Sequence, residues 1–314
     1  MHTKRPGTWR SGTAFRTTAW LVGVALACVV LLVLTYELAV HTRRGRLLDG
    51  ASLRGAVDSR SDVTGALEQL LDVVSVASLL AAAAALVAIA LLRMRRELAI
   101  AAVVVLVGSN VTSQVLKNYL LERPDLGLQE STPATLNSMP SGHSTVAFSV
   151  AVALVLVLPV RLRAAAAGFG VAYASVAALS TLSAGWHRPS DSVAAFLVVG
   201  VWATAVGAVL VVRHGDEQVD TDTGSHSTTT RRLAAAAAYL LAFGALVAVV
   251  ILTTQLDTYG QAAQVLAYVA GGGAIAGTGC AVMAAVLAVT HRIAPRAGAA
   301  RGADAEADPA TDES

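Results

Sequence analysis

The chain has 314 residues, of which 55% are hydrophobic and only 14% are Asp, Glu, Lys or Arg. Its mean hydropathy of +0.63 lies outside the range of ordinary soluble domains. A net charge of +2 with no concentrated basic patch excludes a nucleic-acid-binding surface as the main function.

A helix needs about 20 apolar residues to cross the hydrocarbon core. Eight runs approach that length: about 17–40, 69–92, 97–116, 144–160, 164–184, 192–212, 233–254 and 263–290. They are continuous rather than alternating, which predicts spanning helices and not barrel strands. The expected fold is all-α, a polytopic transmembrane helix bundle with a six-span core and two extra C-terminal spans.

Residues 1–16 carry Lys4, Arg5, Arg10 and Arg16 and read as a cytoplasmic N-terminal segment. The first run is long and ends in Tyr36-Glu37 without a small-residue cleavage site, so it reads as a retained anchor, not a signal peptide. Residues 41–68 read as a loop in which Asp49, Asp58, Asp62 and Glu68 offset five Arg. The core, 17–212, is followed by a polar cytoplasmic linker, 213–232, with Asp216, Glu217, Asp220, Asp222 and a Ser/Thr/Gly run. The pair of spans in 233–290 carries Gly273-x-x-x-Gly277, a close-packing pattern, and reads as a packing or assembly module through which a homo-oligomer could form. Residues 291–314, rich in Ala, Asp, Glu and Gly, have little to bury and read as a disordered tail. Cys28 and Cys280 fall inside predicted spans and read as small apolar core residues.

Orientation follows the distribution of Lys and Arg. With both termini cytoplasmic, fifteen of the 23 basic residues face inward and eight outward. The expected location is the cell membrane, multi-pass, with the polar clusters described next on the extracytoplasmic side.

Three short polar clusters end apolar runs: Lys117 with Arg123-Pro124, then Pro140-Ser141-Gly142-His143, then His187-Arg188-Pro189-Ser190-Asp191. In the second, Pro suits the first turn of a helix and Gly lets a ligand approach the backbone. The free N–H groups and dipole of that helix would form an anion site. Ser141 adds a hydroxyl and His143 a proton donor; the plainer alternative is a simple helix cap. Asn110, Ser113, Gln114 and Lys117 repeat at helical spacing, a stripe that leads to the cluster or glues helices together. Lys117 as a point charge and Arg123 as a planar fork suit a phosphate dianion. Asp191, four residues after His187, is placed to fix the imidazole tautomer and leave the other nitrogen free to attack phosphorus. The combination points to phosphate-ester cleavage.

These residues resemble the three-part signature of the type 2 phosphatidate phosphatase superfamily. In that family a Lys precedes Arg-Pro, a Pro-Ser-Gly-His follows, and a Ser-Arg pair precedes His and then Asp. Pro140–His143 matches fully, and His187-x-x-x-Asp191 has the family spacing. The resemblance covers about 97–212 by motif and the first six spans by architecture.

The resemblance implies an integral-membrane, metal-independent phosphatase that hydrolyses a lipid phosphate or diphosphate, of polyprenyl diphosphate or phosphatidate type, through a phosphohistidine. His187 would be the nucleophile, Asp191 its orienter and His143 the general acid. Lys117, Arg123, Ser141 and the Gly142 N–H would hold the phosphate oxygens. Neither a cofactor nor a metal is implied; the partners are the lipid phosphate and the surrounding membrane lipids.

Two departures stand out. Five residues, not six, separate Lys117 from Arg123, and the family Arg six places before the nucleophile is Thr181, following Ser180. Arg188 is expected either to supply the missing cation or to serve as an interfacial anchor. Two alternatives stay open: a catalytically weakened relative that binds lipid head groups, and a lipid transporter.

Overall fold

The computed structural model describes residues 11–59, 96–128, 137–214, 224–254 and 258–293, with four single positions between 81 and 88. Among the described residues there are eight α-helices and no strand. They are α1 (Ser11–His41), α2 (Arg43–Asp58), α3 (Arg96–Val115), α4 (Gly142–Val157), α5 (Val160–Ser183), α6 (Pro189–His214), α7 (Gly224–Thr253) and α8 (Gln261–Ile293). A π-helical turn, Leu116–Leu120, continues α3. The fold is an all-α polytopic bundle.

Among the described residues, six helices are long and apolar enough to cross a membrane: α1, α3 with its π turn, α5, α6, α7 and α8. The chain is accordingly a multi-pass membrane protein. Helix α4 is apolar but shorter, at 16 residues. The predicted run 69–92 lies almost wholly outside the described residues, as do 1–10 and the tail after 293. Apolar side chains such as Leu26, Leu38 and Leu246 are 60–62% exposed, the expected state of a lipid-facing surface, where hydrocarbon and not water is the neighbour.

Two expectations differ from the structure. The predicted loop 41–68 contains α2, which opens on Thr42, whose side chain accepts from the Gly45 N–H at 3.0 Å. Arg46, Asp49, Leu53 and Ala56 recur at helical spacing and are buried, but the charges among them lowered the hydropathy enough to hide the element. The predicted linker 213–232 is partly helical, because α7 starts at Gly224. Extending an existing helix adds one hydrogen bond per residue at a cost of only tenths of a kcal/mol for Ser or Thr.

The central core joins helices from both parts of the chain. Phe148 of α4 stacks on Phe196 of α6 with centroids 4.3 Å apart. Val105, Val171, Ile275, Met283 and Leu287 close around them, so α8 belongs to this core. Cys28 and Cys280 are buried, free thiols in the same cluster. Helices α7 and α8 meet closely at Gly277, where an added Cβ would lie 2.9 Å from Leu241 Cγ. Polar stitches fix the register of the site helices. Ser113 and Asn110 of α3 bond Thr145 and Ser149 of α4 at 2.9 and 3.3 Å, and Ser144 of α4 meets Ser192 of α6 at 2.9 Å. The polar stripe on α3 therefore acts between helices as well as leading toward the cluster.

Candidate active site

The head of α4 is built by its own sequence. Ser141 is the N-cap: its backbone is extended and its hydroxyl accepts from the Ser144 N–H at 3.3 Å. The Thr145 hydroxyl donates back to the Ser141 carbonyl at 2.8 Å. Pro140 thus precedes the cap instead of occupying the first turn, and Gly142 is the first helical residue. The Gly142 and His143 amides open the helix, where backbone donors lack intrahelical partners and the dipole is positive. Gly142 and His143 are half-buried, so the end is open to a ligand.

The second cluster closes onto the first. Helix α5 ends at Ser183, and Gly185 takes the left-handed conformation, φ +80°, which only glycine adopts without strain. That turn redirects the chain so that the Trp186 N–H donates to the Thr181 carbonyl at 3.0 Å. His187 follows, 6% exposed, with Nδ1 3.3 Å from Asp191 Oδ2. The same oxygen accepts from Ser138 Oγ at 2.6 Å and from the Arg188 N–H at 2.9 Å. Asp191 Oδ1 is buried with no hydrogen-bond partner. The Ser141 N–H donates to the Asp191 carbonyl at 3.0 Å, locking the heads of α4 and α6 together. As a result the His143 and His187 rings stand 6.0 Å apart, centroid to centroid, and His143 lies 5.7 Å from the Trp186 ring.

The first cluster reaches the site from the end of α3. Lys117 is half-buried on the π turn, and its charge acts on His143. Asn137 Nδ2 donates to the Lys117 and Leu121 carbonyls at 2.9 and 2.7 Å, tying this turn to the segment before Pro140. Arg123 is held from the α1–α2 corner. The Tyr36 hydroxyl donates to the Glu122 carbonyl at 2.8 Å and accepts from its N–H at 3.0 Å, while the Arg46 guanidinium donates to the Pro124 carbonyl.

Arg188 is 2% exposed, which removes the interfacial-anchor alternative. Its charge acts on Asp49 of α2, a partner to which no local pattern points. Thr181 is fully buried and donates to the Ala178 carbonyl at 2.9 Å, so the position of the missing family Arg is closed over by packing.

Residues 97–215 match the model of the PAP2 superfamily. This stretch is similar to PAP2 superfamily domains. It runs from α3 to just past the end of α6 and contains all the candidate residues, whereas α1, α2, α7 and α8 lie outside it. The match agrees with the type 2 phosphatidate phosphatase resemblance of the sequence. No curated protein and no solved structure matches the chain. Among the described residues, no group of three or more His, Cys, Asp or Glu side chains is placed to hold a metal ion.

Sequence reasoning passed over Ser138, Trp186 and Asp49. The first two sit beside the motifs, and adjacency was the available signal. Asp49 had none. It is 8% exposed and accepts from the Ser190 N–H at 3.2 Å and the Ser190 hydroxyl at 2.6 Å. It also borders a cavity of about 520 Å³ whose other walls include Leu48, Val193 and Leu252.

Burial beside that apolar wall, then the charge of Asp191, pushes the Asp49 carboxyl from 3.8 to about 6, although Arg188 and Ser190 pull it back down. A carboxyl raised in the folded state favours folding most when protonated. Its contribution is full below about pH 4 and is lost as pH rises through about 6. The Tm of Asp49→Asn minus that of the parent should therefore grow between about pH 4 and pH 7 in thermal unfolding. A difference that stays flat over that window contradicts the assignment.

Proposed function

We propose that this protein is an integral-membrane phosphatase that hydrolyses a lipid phosphate or diphosphate, of polyprenyl diphosphate or phosphatidate type, through a phosphohistidine. The observation that carries the reading is the pair of imidazoles 6.0 Å apart, one of them braced by Asp191, at the open N-terminus of α4. Asp191 fixes Nδ1 of His187 as the protonated nitrogen, which leaves the Nε2 lone pair to attack phosphorus. The P–O bond to the leaving group breaks, and His143 gives that oxygen its proton. Water then attacks the phosphohistidine, His143 takes up its proton, and inorganic phosphate leaves with His187 restored. Lys117, Arg123, the Ser141 hydroxyl and the Gly142 N–H hold the phosphate oxygens, where charge builds in the transition state. Arg188 adds positive charge behind the nucleophile.

The Lys and Arg distribution supports cytoplasmic termini and an extracytoplasmic site in the cell membrane. Two basic residues in that count have structural duties: Arg46, on the Pro124 carbonyl, and Arg163, whose Nη1 donates to the Thr290 carbonyl at 2.7 Å.

The test is phosphate release by purified protein from a panel of isoprenoid and glycerolipid phosphates. We expect activity that survives EDTA and is inhibited by vanadate, which adopts the trigonal bipyramidal geometry of the displacement. Activity lost to chelation and restored by a divalent metal contradicts the mechanism. The buried Thr181 in place of an Arg favours one second reading, a weakened relative that binds lipid head groups. It predicts vanadate and lipid binding with no phosphate released.

A further inference from the structure

We propose that Asp49 is a positioning residue for the phosphatase site, holding the head of α6 in place from a helix outside the PAP2 stretch. The proposal rests on the reading of His187 as the attacking group. Ser190 lies between His187 and Asp191, and its N–H is one of the donors that a helix leaves free in its first turn. Asp49 takes that N–H and the Ser190 hydroxyl together, so both the backbone and the side chain of Ser190 are fixed to one buried carboxylate. Its charge also interacts with Arg188 and Asp191. On the other side of the same turn, Ser138 and the Ser141 N–H hold Asp191. The loop carrying the nucleophile is therefore gripped from two directions, and the grip through Asp49 joins residues 141 positions apart.

The support behind Asp49 comes from the C-terminal pair of helices. A Cβ on Gly55 would lie 2.3 Å from the Gln264 carbonyl oxygen, so α2 and α8 touch with no side chain between them. A Cβ on Gly271 would lie 2.6 Å from Ser52 Oγ and 2.7 Å from Pro189 Cγ. Helix α8 thus backs both α2 and the first residue of α6. This gives α8 a duty toward the site, because Gly271 meets Ser52, one helical turn from Asp49, and Pro189, next to Ser190. Groups held by such second contacts keep the nucleophile within the narrow range of productive geometries, and small misplacements are costly in rate.

The experiment uses the full-length protein in lipid nanodiscs and compares Asp49→Asn, Ser190→Ala, the double variant and Asp58→Asn, a control at an exposed position of the same helix. Asn offers one acceptor oxygen where Ser190 now uses two. We expect Asp49→Asn and Ser190→Ala each to lower kcat by about tenfold to a hundredfold with KM held within about threefold. The double variant should be no slower than the slower single, since both remove one contact, and Asp58→Asn should behave as the parent. A purely structural role predicts instead that turnover per folded molecule is unchanged, and that result, or additive losses in the double variant, overturns the proposal. Hydrogen exchange of residues 186–192 provides the readout that does not depend on turnover. Faster exchange in Asp49→Asn, with the rest of the chain unchanged, is expected. Unchanged exchange there overturns the positioning role even if the parent is active. A parent that releases no phosphate, together with locally faster exchange, overturns the phosphatase reading and leaves the positioning role standing.

Discussion

His187→Ala is expected to lower phosphate release by at least about a thousandfold while leaving the bundle folded. In the proposed mechanism no neighbouring group can take over the attack. His143 is needed as the acid, and its ring lies 6.0 Å away on α4. The fold should tolerate the change, because His187 sits in the turn before α6 and not in the Phe148–Phe196 core. Its loss also leaves Asp191 Oδ2 with two donors, Ser138 and the Arg188 N–H. Two measurements decide the matter. Phosphate release should disappear at a near-parental Tm, and an acid-labile phosphoryl adduct that forms on the parent should be absent from the variant. Near-normal turnover by a well-folded His187→Ala protein would sink the phosphohistidine mechanism.

Asp191→Asn should lower kcat by about a hundredfold to ten-thousandfold with little loss of stability. The reason lies in how the two carboxylate oxygens are used. Oδ2 carries all three donors and Oδ1 is buried with none. An Asn can place its oxygen at the Oδ2 position and its amide nitrogen at the other, so no donor loses its acceptor. What disappears is the negative charge that stabilises the imidazole as it becomes a cation during attack. Asp191→Ala differs in kind. It leaves the buried Ser138 hydroxyl and Arg188 N–H without an acceptor, at about 1–3 kcal/mol each, so it should lower Tm as well as rate. Comparing kcat and Tm across the two variants separates charge from scaffolding. If Asp191→Asn turns over like the parent, the carboxylate has no electrostatic role.

Much of this protein is written locally. The apolar runs name the spanning helices because a segment in hydrocarbon must satisfy every backbone group within itself. The structure places six such helices close to the predicted ranges. The clusters were equally legible, since a cap, a His with Asp one turn later, and a cation at a helix end are short-range patterns. What each cluster would touch was less so. The α3 stripe bonds across to Thr145 and Ser149 as well as leading to Lys117, and Arg188, read as facing the substrate or the interface, is buried with its charge acting on Asp49.

The sequence by itself determined the class of fold and the approximate course of the spanning helices, because each depends on neighbours within a few turns. Tertiary structure alone decided how the site is held. Arg46 and Asp49 lie in a segment whose five Arg and low hydropathy read as a loop, yet both are buried, on Pro124 and Ser190 respectively. A buried charge is tolerable only where a partner compensates its desolvation, and here those partners are 78 and 141 residues away. No local pattern encodes such a pairing; it exists only once α2 has docked on α8 and brought its polar face against the heads of the site helices.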